Sequence, residues 1–148
     1  MNQIIEDEKL KNFWEALKVT EFRVDDVFLQ LPGSAHLFGK NDEPSKLFIR
    51  KCYNDLINVV FKDNVRKLRI SGNPGIGKTF FGYYILYHLA VLDKTVIYDI
   101  HTISESNRVI LFNQKGAFIL IGHFTLIQLV DTLTILKFGI LWMVKNQI

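Results

Sequence analysis

Eight consecutive residues, Gly72-Asn73-Pro74-Gly75-Ile76-Gly77-Lys78-Thr79, carry the clearest chemistry in the chain. They match the phosphate-binding pattern G-x-x-x-x-G-K-[ST], the Walker A loop, without a substitution. The terminal phosphates of a nucleoside triphosphate are heavily anionic, so such a loop must surround them with donors and keep side chains out of the way. Glycine permits the positive φ angles that turn successive backbone N–H groups inward. Pro74 stiffens the loop between Gly72 and Gly75. A helix starting at Lys78 would aim its free N–H groups and positive dipole end at the same anion. The Lys78 ammonium is placed to reach the β- and γ-phosphates, and the Thr79 hydroxyl to ligate Mg²⁺. Gly72 to Thr79 are therefore the expected cofactor-binding residues, for ATP in preference to GTP. Lys78 also counts as catalytic.

The flanking segments have the order this chemistry needs. Lys67–Ser71 alternates like a short strand, Lys78–Leu92 is a long apolar stretch of helical character, and Lys94–Asp99 reads as a second strand. Hydrolysis needs a second feature, an acid at a strand end that holds Mg²⁺ and positions water. Ile127-Gln128-Leu129-Val130-Asp131 ends in one, which makes Asp131 the expected second catalytic and metal residue beside Thr79. Leu141-Trp142-Met143-Val144-Lys145 has a similar apolar run, but lysine stands where the acid would be and would repel the metal. Asp99 also lies at a strand end, where a turn-capping role is the favoured reading. Arg108, Arg50 and Arg66 are equivalent candidates for an arginine finger, and their spacing selects none of them.

The chain has 148 residues with 49% hydrophobic content and a net charge of +3, enough for one packed domain. The densest basic cluster, Lys62 to Arg69, reads as a solvated turn and strand edge, so nucleic acid is not indicated. One cysteine, Cys52, excludes an internal disulfide and reads as a buried or partly buried small apolar residue. His36, His88, His101 and His123 have no metal-ligand spacing. The acidic N-terminus lacks the apolar core of a signal peptide, which points to a cytoplasmic or nuclear setting.

Glu6 to Val19 reads as an amphipathic helix with Leu10, Phe13, Trp14 and Leu17 on one face. Asp25–Leu31 reads as a short strand, and Gly39–Pro44 as a loop. Ser45 is expected to cap a helix whose stripe is Leu47, Phe48, Cys52, Leu56, Val59 and Val60. Phe80, Phe81, Tyr83, Tyr84 and Tyr87 are read as buried against a sheet rather than as a base-stacking platform. Val109–Phe112 is a further strand, and Asn113–Gly116 a turn. From Ala117 to Val144 the chain is almost continuously apolar. Buried parallel strands with an apolar helix fit it better than a membrane span, because Asp131 and Lys137 interrupt any long window. These readings divide the chain into an N-terminal segment 1–44, a nucleotide-binding core 45–125, and an apolar tail 126–148 that can offer a protein-partner surface.

Three stretches together resemble the Crinkler / retrotransposon-hot-spot group of P-loop proteins. They are Phe48-Ile49-Arg50-Lys51-Cys52-Tyr53, Arg69 through Tyr87, and Lys94-Thr95-Val96-Ile97-Tyr98. The aromatic helix behind the loop makes the resemblance narrower than the loop alone. The region around Trp14 and the turn Leu31-Pro32-Gly33 are similar to fungal members. The resemblance implies an NTPase-like domain, often followed by an effector domain, and use in a host cell or its nucleus for some members. It implies an apolar strand running into Val-Asp-Gly, from which this chain departs after about Phe124, as a truncated chain would. The expected fold is α/β, a three-layer P-loop NTPase sandwich with an incomplete parallel sheet and flanking helices. The expected function is nucleoside triphosphate binding with Mg²⁺-dependent hydrolysis. The alternatives are a non-hydrolysing nucleotide or protein-interaction module, or an inactive fragment.

Overall fold

The structure is a computed structural model that describes residues 3–65, 67–70, 77–99 and 108–122, together with the backbone of 134–137 and 141–145. The first strand, β1 (Gln3–Glu6), leads directly into helix α1 (Glu8–Lys18). Asp7 ends the strand and starts the helix: its Oδ1 accepts the Leu10 N–H at 2.9 Å. The expected apolar face is the buried one, with Phe13, Trp14 and Leu17 fully enclosed and Leu10 nearly so. The Trp14 ring stacks on Phe112 at 4.8 Å, and its Nε1 donates to the Asn113 carbonyl at 3.1 Å. These contacts fasten α1 to the central sheet.

A two-stranded ribbon follows, β2 (Phe28–Gln30) against β3 (Lys46–Phe48), with Leu29 and Leu47 facing the core. Helix α2 (Lys51–Val60) therefore starts five residues later than a Ser45 cap would place it, with Arg50 as its cap. Leu47 and Phe48 belong to a strand, and the buried residues of α2 are Tyr53, Ile57 and Val60, at i, i+4 and i+7. Cys52 falls outside that buried stripe and is exposed, contrary to the buried or partly buried position expected for it.

Helix α3 (Lys78–Val91) is apolar nearly all round, which marks a helix enclosed on most sides. Phe81, Tyr83, Tyr84, Ile85, Leu86 and Leu89 are buried, while Phe80 is exposed. It packs against α1, α2 and the sheet strand β9. Phe38 enters the same core and lies 5.0 Å from Tyr98 and 5.7 Å from Tyr83. Phe81, Tyr83, Tyr84 and Tyr87 thus fill the interior, as the sequence led one to expect, while Phe80 departs from that expectation.

The main sheet has seven strands in the order β1-β7-β6-β5-β8-β9-β4. Its remaining members are β4 (Lys67–Ile70), β5 (Val96–Asp99), β6 (Arg108–Asn113), β7 (Gly116–Ile121), β8 (Thr134–Lys137) and β9 (Leu141–Lys145). One pair, β5 with β8, is parallel, and the other five pairs are antiparallel. The protein is α/β as expected, but its sheet is mixed and mainly antiparallel rather than parallel. The causes are local. β6 and β7 form a hairpin closed at Asn113–Gly116, where Gly116 takes φ 140°. β8 and β9 pair antiparallel in the same way and enter between β5 and β4. Continuous apolar runs signal a strand buried on both faces but do not encode its direction.

One parallel relation survives. Following the pairings across the sheet, β4, β5, β7 and β8 run in one direction and β1, β6 and β9 in the other. The unit β4–α3–β5 therefore joins two strands of the same sense through a helix, with β8 and β9 between them. Among the described residues, no helix is long and apolar enough to cross a membrane.

Candidate functional site at the start of helix α3

Gly77 caps α3 in the left-handed region, with φ 93° and ψ 20°, and Lys78 is the first helical residue. Only glycine adopts that conformation without strain. The Gly77 carbonyl accepts twice, from Phe81 N–H at 2.9 Å and from the Tyr53 hydroxyl at 2.9 Å. The first bond is the opening turn of the helix. The second joins α3 to α2.

Space around Gly77 is closed on the α2 side. A methyl at this position would lie 2.6 Å from Tyr53 Oη and 3.2 Å from Arg50 Nη1. Tyr53 is buried, with its ring 5.2 Å from Phe81 and 6.2 Å from Tyr84. Burial pushes the Tyr53 pKa up, and the charge of Arg50 and a hydrogen bond from its side chain pull it partly back. The Tyr84 hydroxyl donates to Asn54 Oδ1 at 2.8 Å and fixes the next turn of the same interface. Arg50 itself is exposed.

Two helix N-termini therefore meet beside Gly77. Neither α2 nor α3 has a side-chain cap or an acidic residue in its first turn, whereas α1 has both. Their first residues are Lys51 and Lys78. Helix N-termini, a guanidinium and lysines together make a positive surface that favours an anion. Lys78 and Thr79 are half-buried. The donor set at this end of α3 fits phosphate oxygens, and a threonine hydroxyl fits a hard cation such as Mg²⁺.

Of the expected site residues, Gly77, Lys78 and Thr79 sit together at the helix start. Gly72, Asn73, Pro74, Gly75, Ile76, Arg66 and Asp131 lie outside the described residues. β4 ends at Ile70 and so delivers the chain to the loop at one edge of the sheet. By strand direction that edge also carries Asp99, at the end of β5, and Lys137, at the end of β8. Asp99 is the acid among the described strand ends there. At the level of the sheet it stands three strand spacings, about 14 Å, from β4. Lys145, the lysine in place of an acid, pairs with Thr134 and lies at the opposite edge. Arg108 lines a separate cleft of about 230 Å³ with Asp7, Lys40 and apolar neighbours, none of them from the loop or α3. Among the described residues no group of three His, Cys, Asp or Glu side chains is arranged to hold a metal.

Sequence reasoning left Arg50 as one of three equivalent arginine-finger candidates and passed over Tyr53 as a site residue. Their spacing of three at a helix start, which puts both on one face, was the available signal.

The chain is 35% identical over 88 residues to Crinkler effector protein 15 of the oomycete Phytophthora infestans, and equally to Crinkler effector protein 16. It is similar to Crinkler effectors. The match takes in 57% of this chain, and the chain spans about 12% of the length of these relatives. They come from an oomycete, not from the fungi whose members the upstream segments were expected to resemble. No family profile matches the chain, and no solved structure matches it.

Proposed function

We propose that the chain binds a nucleoside triphosphate, ATP in preference to GTP, through Gly72–Thr79. The observation that carries this reading is the unbroken eight-residue pattern. Support comes from its described end, where Gly77 is left-handed and Lys78 opens α3. In this reading the backbone donors of the loop and of the first turn of α3 cradle the phosphates. Lys78 neutralises the β- and γ-phosphates. Thr79, with Asp131, holds Mg²⁺, which when bound screens the charge that builds on the γ-phosphate. Asp131 also orients the attacking water. Asp99 is the rival for the acidic role, because it lies at the sheet edge to which β4 delivers the loop.

The second reading is a non-hydrolysing binding module. In both, the role is effector-type, after the printed name of the relatives, in the cytoplasm or nucleus, with the tail 126–148 as a protein-partner surface. The test is MgATP binding and phosphate release by the purified chain, beside Lys78→Ala, Asp131→Asn and Asp99→Asn. Turnover lost in one of the two Asn variants, with binding kept, identifies the acid. Binding without turnover in the parent leaves the module. A folded parent that does not bind ends both readings.

A further inference from the structure

We propose that Arg50 is a phosphate-binding residue supplied in cis to the loop and held in place by Tyr53. The inference rests on the nucleotide-binding reading above and names a further residue of that site.

Arg50 caps α2 with extended backbone, φ −71° and ψ 147°, which aims the chain into the helix and places the side chain toward Gly77. Its Nη1 would stand 3.2 Å from a methyl on Gly77, so the guanidinium touches the last glycine of the phosphate pattern, next to Lys78. Arg50 Nη1 and the Tyr53 hydroxyl crowd the same point beside Gly77, and the guanidinium's charge and hydrogen bonding act on that hydroxyl. That hydroxyl donates in turn to the Gly77 carbonyl at 2.9 Å, and the Tyr53 ring is buried against Phe81 of α3. The link runs from guanidinium to hydroxyl to loop carbonyl, and its middle member cannot swing away. Arg50 is thereby held relative to the loop while remaining exposed to solvent and ligand. A guanidinium presents five donors in a planar fork, so a bond to Tyr53 is compatible with paired bonds to phosphate oxygens. At this end of the loop Lys78 serves the outer phosphates, and Arg50 shares them. Among the three arginines the sequence left equivalent, the structure places this one at the loop and Arg108 in another cleft.

The ligand chemistry is a polyphosphate anion, free or carried by a nucleoside. Isothermal titration of the full chain with MgATP, MgADP and inorganic tripolyphosphate separates these sources. Arg50→Ala, Arg50→Lys and Tyr53→Phe are compared with the parent, each with a thermal melt. The expected result is a loss of about tenfold or more in ATP affinity for Arg50→Ala, at an unchanged melting temperature. Arg50→Lys recovers part of it, because the charge returns without the fork. Tyr53→Phe weakens ATP by a smaller factor with the charge intact. A parallel loss with tripolyphosphate supports a phosphate contact that needs no nucleoside. ATP affinity within twofold of the parent in a folded Arg50→Ala overturns the inference and leaves the loop reading standing. The same holds if affinity and melting temperature fall together and Arg50→Lys restores neither, since Arg50 would then be structural only. A folded parent that binds none of the three ligands overturns the loop reading and this inference with it.

Discussion

Replacing Gly77 by alanine probes the α2–α3 junction directly. The new methyl imposes two separable costs. The left-handed backbone at φ 93° disfavours any residue with a Cβ by about 1–2 kcal/mol. The methyl also meets Tyr53 Oη at 2.6 Å. A terminal hydroxyl can often yield, but this one is anchored in the Gly77 carbonyl bond and its ring is buried against Phe81 and Tyr84. Crowding of that kind costs about 1–3 kcal/mol. The sum is about 2–5 kcal/mol, against a total stability of about 5–15 kcal/mol, so the variant folds with a lowered denaturation midpoint. Tyr53→Phe removes the obstructing oxygen, and the next atoms are Arg50 Nη1 at 3.2 Å and Tyr53 Cζ at 3.8 Å. In that background Gly77→Ala costs only the backbone part, about 1–2 kcal/mol. Urea unfolding of the four proteins of this cycle, at constant m value, measures the difference as a coupling energy. A cost below about 0.5 kcal/mol for Gly77→Ala, or equal costs in both backgrounds, refutes the locked helix start.

Three further outcomes follow from the same structure. The His88 ring is enclosed by Tyr84, Tyr87 and Phe61, and burial lowers its pKa below 6.5. Below about pH 6.5 the unfolded chain then binds the proton more readily than the folded one, so stability falls as pH drops toward the lowered value. His88→Phe removes that part of the slope in urea midpoints taken between pH 7.5 and pH 5, and an unchanged slope contradicts it. Trp14→Ala empties the site between α1 and Phe112 and leaves the Asn113 carbonyl without its donor, a loss of about 3–5 kcal/mol by denaturant titration. A loss below about 1 kcal/mol would show that α1 is not fastened there. Cys52, exposed on α2, should react with a thiol reagent in the native chain nearly as fast as in the unfolded one. Strong native protection would contradict the start of α2 at Lys51.

Much of the helical framework was legible in the residues. The stripe Leu10, Phe13, Trp14, Leu17 placed α1, and the density of aromatic residues after Lys78 marked a helix whose side chains fill the core. β4 was legible by its alternation, and β5 by its place after the glycine loop and the apolar helix. The direction of the strands was not, because an apolar run such as Leu141–Val144 looks alike in either sense. The start of α2 was lost for a related reason. Leu47 and Phe48 fit both a helical stripe and a strand, and tertiary pairing with β2 decided between them. The neighbours of Gly77 were out of reach for another cause. Arg50 and Tyr53 are more than twenty residues away, and only the packing of α2 on α3 brings them to the loop.

The central claim is that Gly72–Thr79 holds the phosphates of a nucleotide, with Lys78 as their principal cation. Isothermal titration of the folded chain with MgATP, repeated with Lys78→Ala, tests it most directly. The account predicts saturable one-to-one binding in the parent and a loss of more than tenfold in the variant at an unchanged melting temperature. A folded parent without binding, or a Lys78→Ala variant that binds as well as the parent, contradicts it.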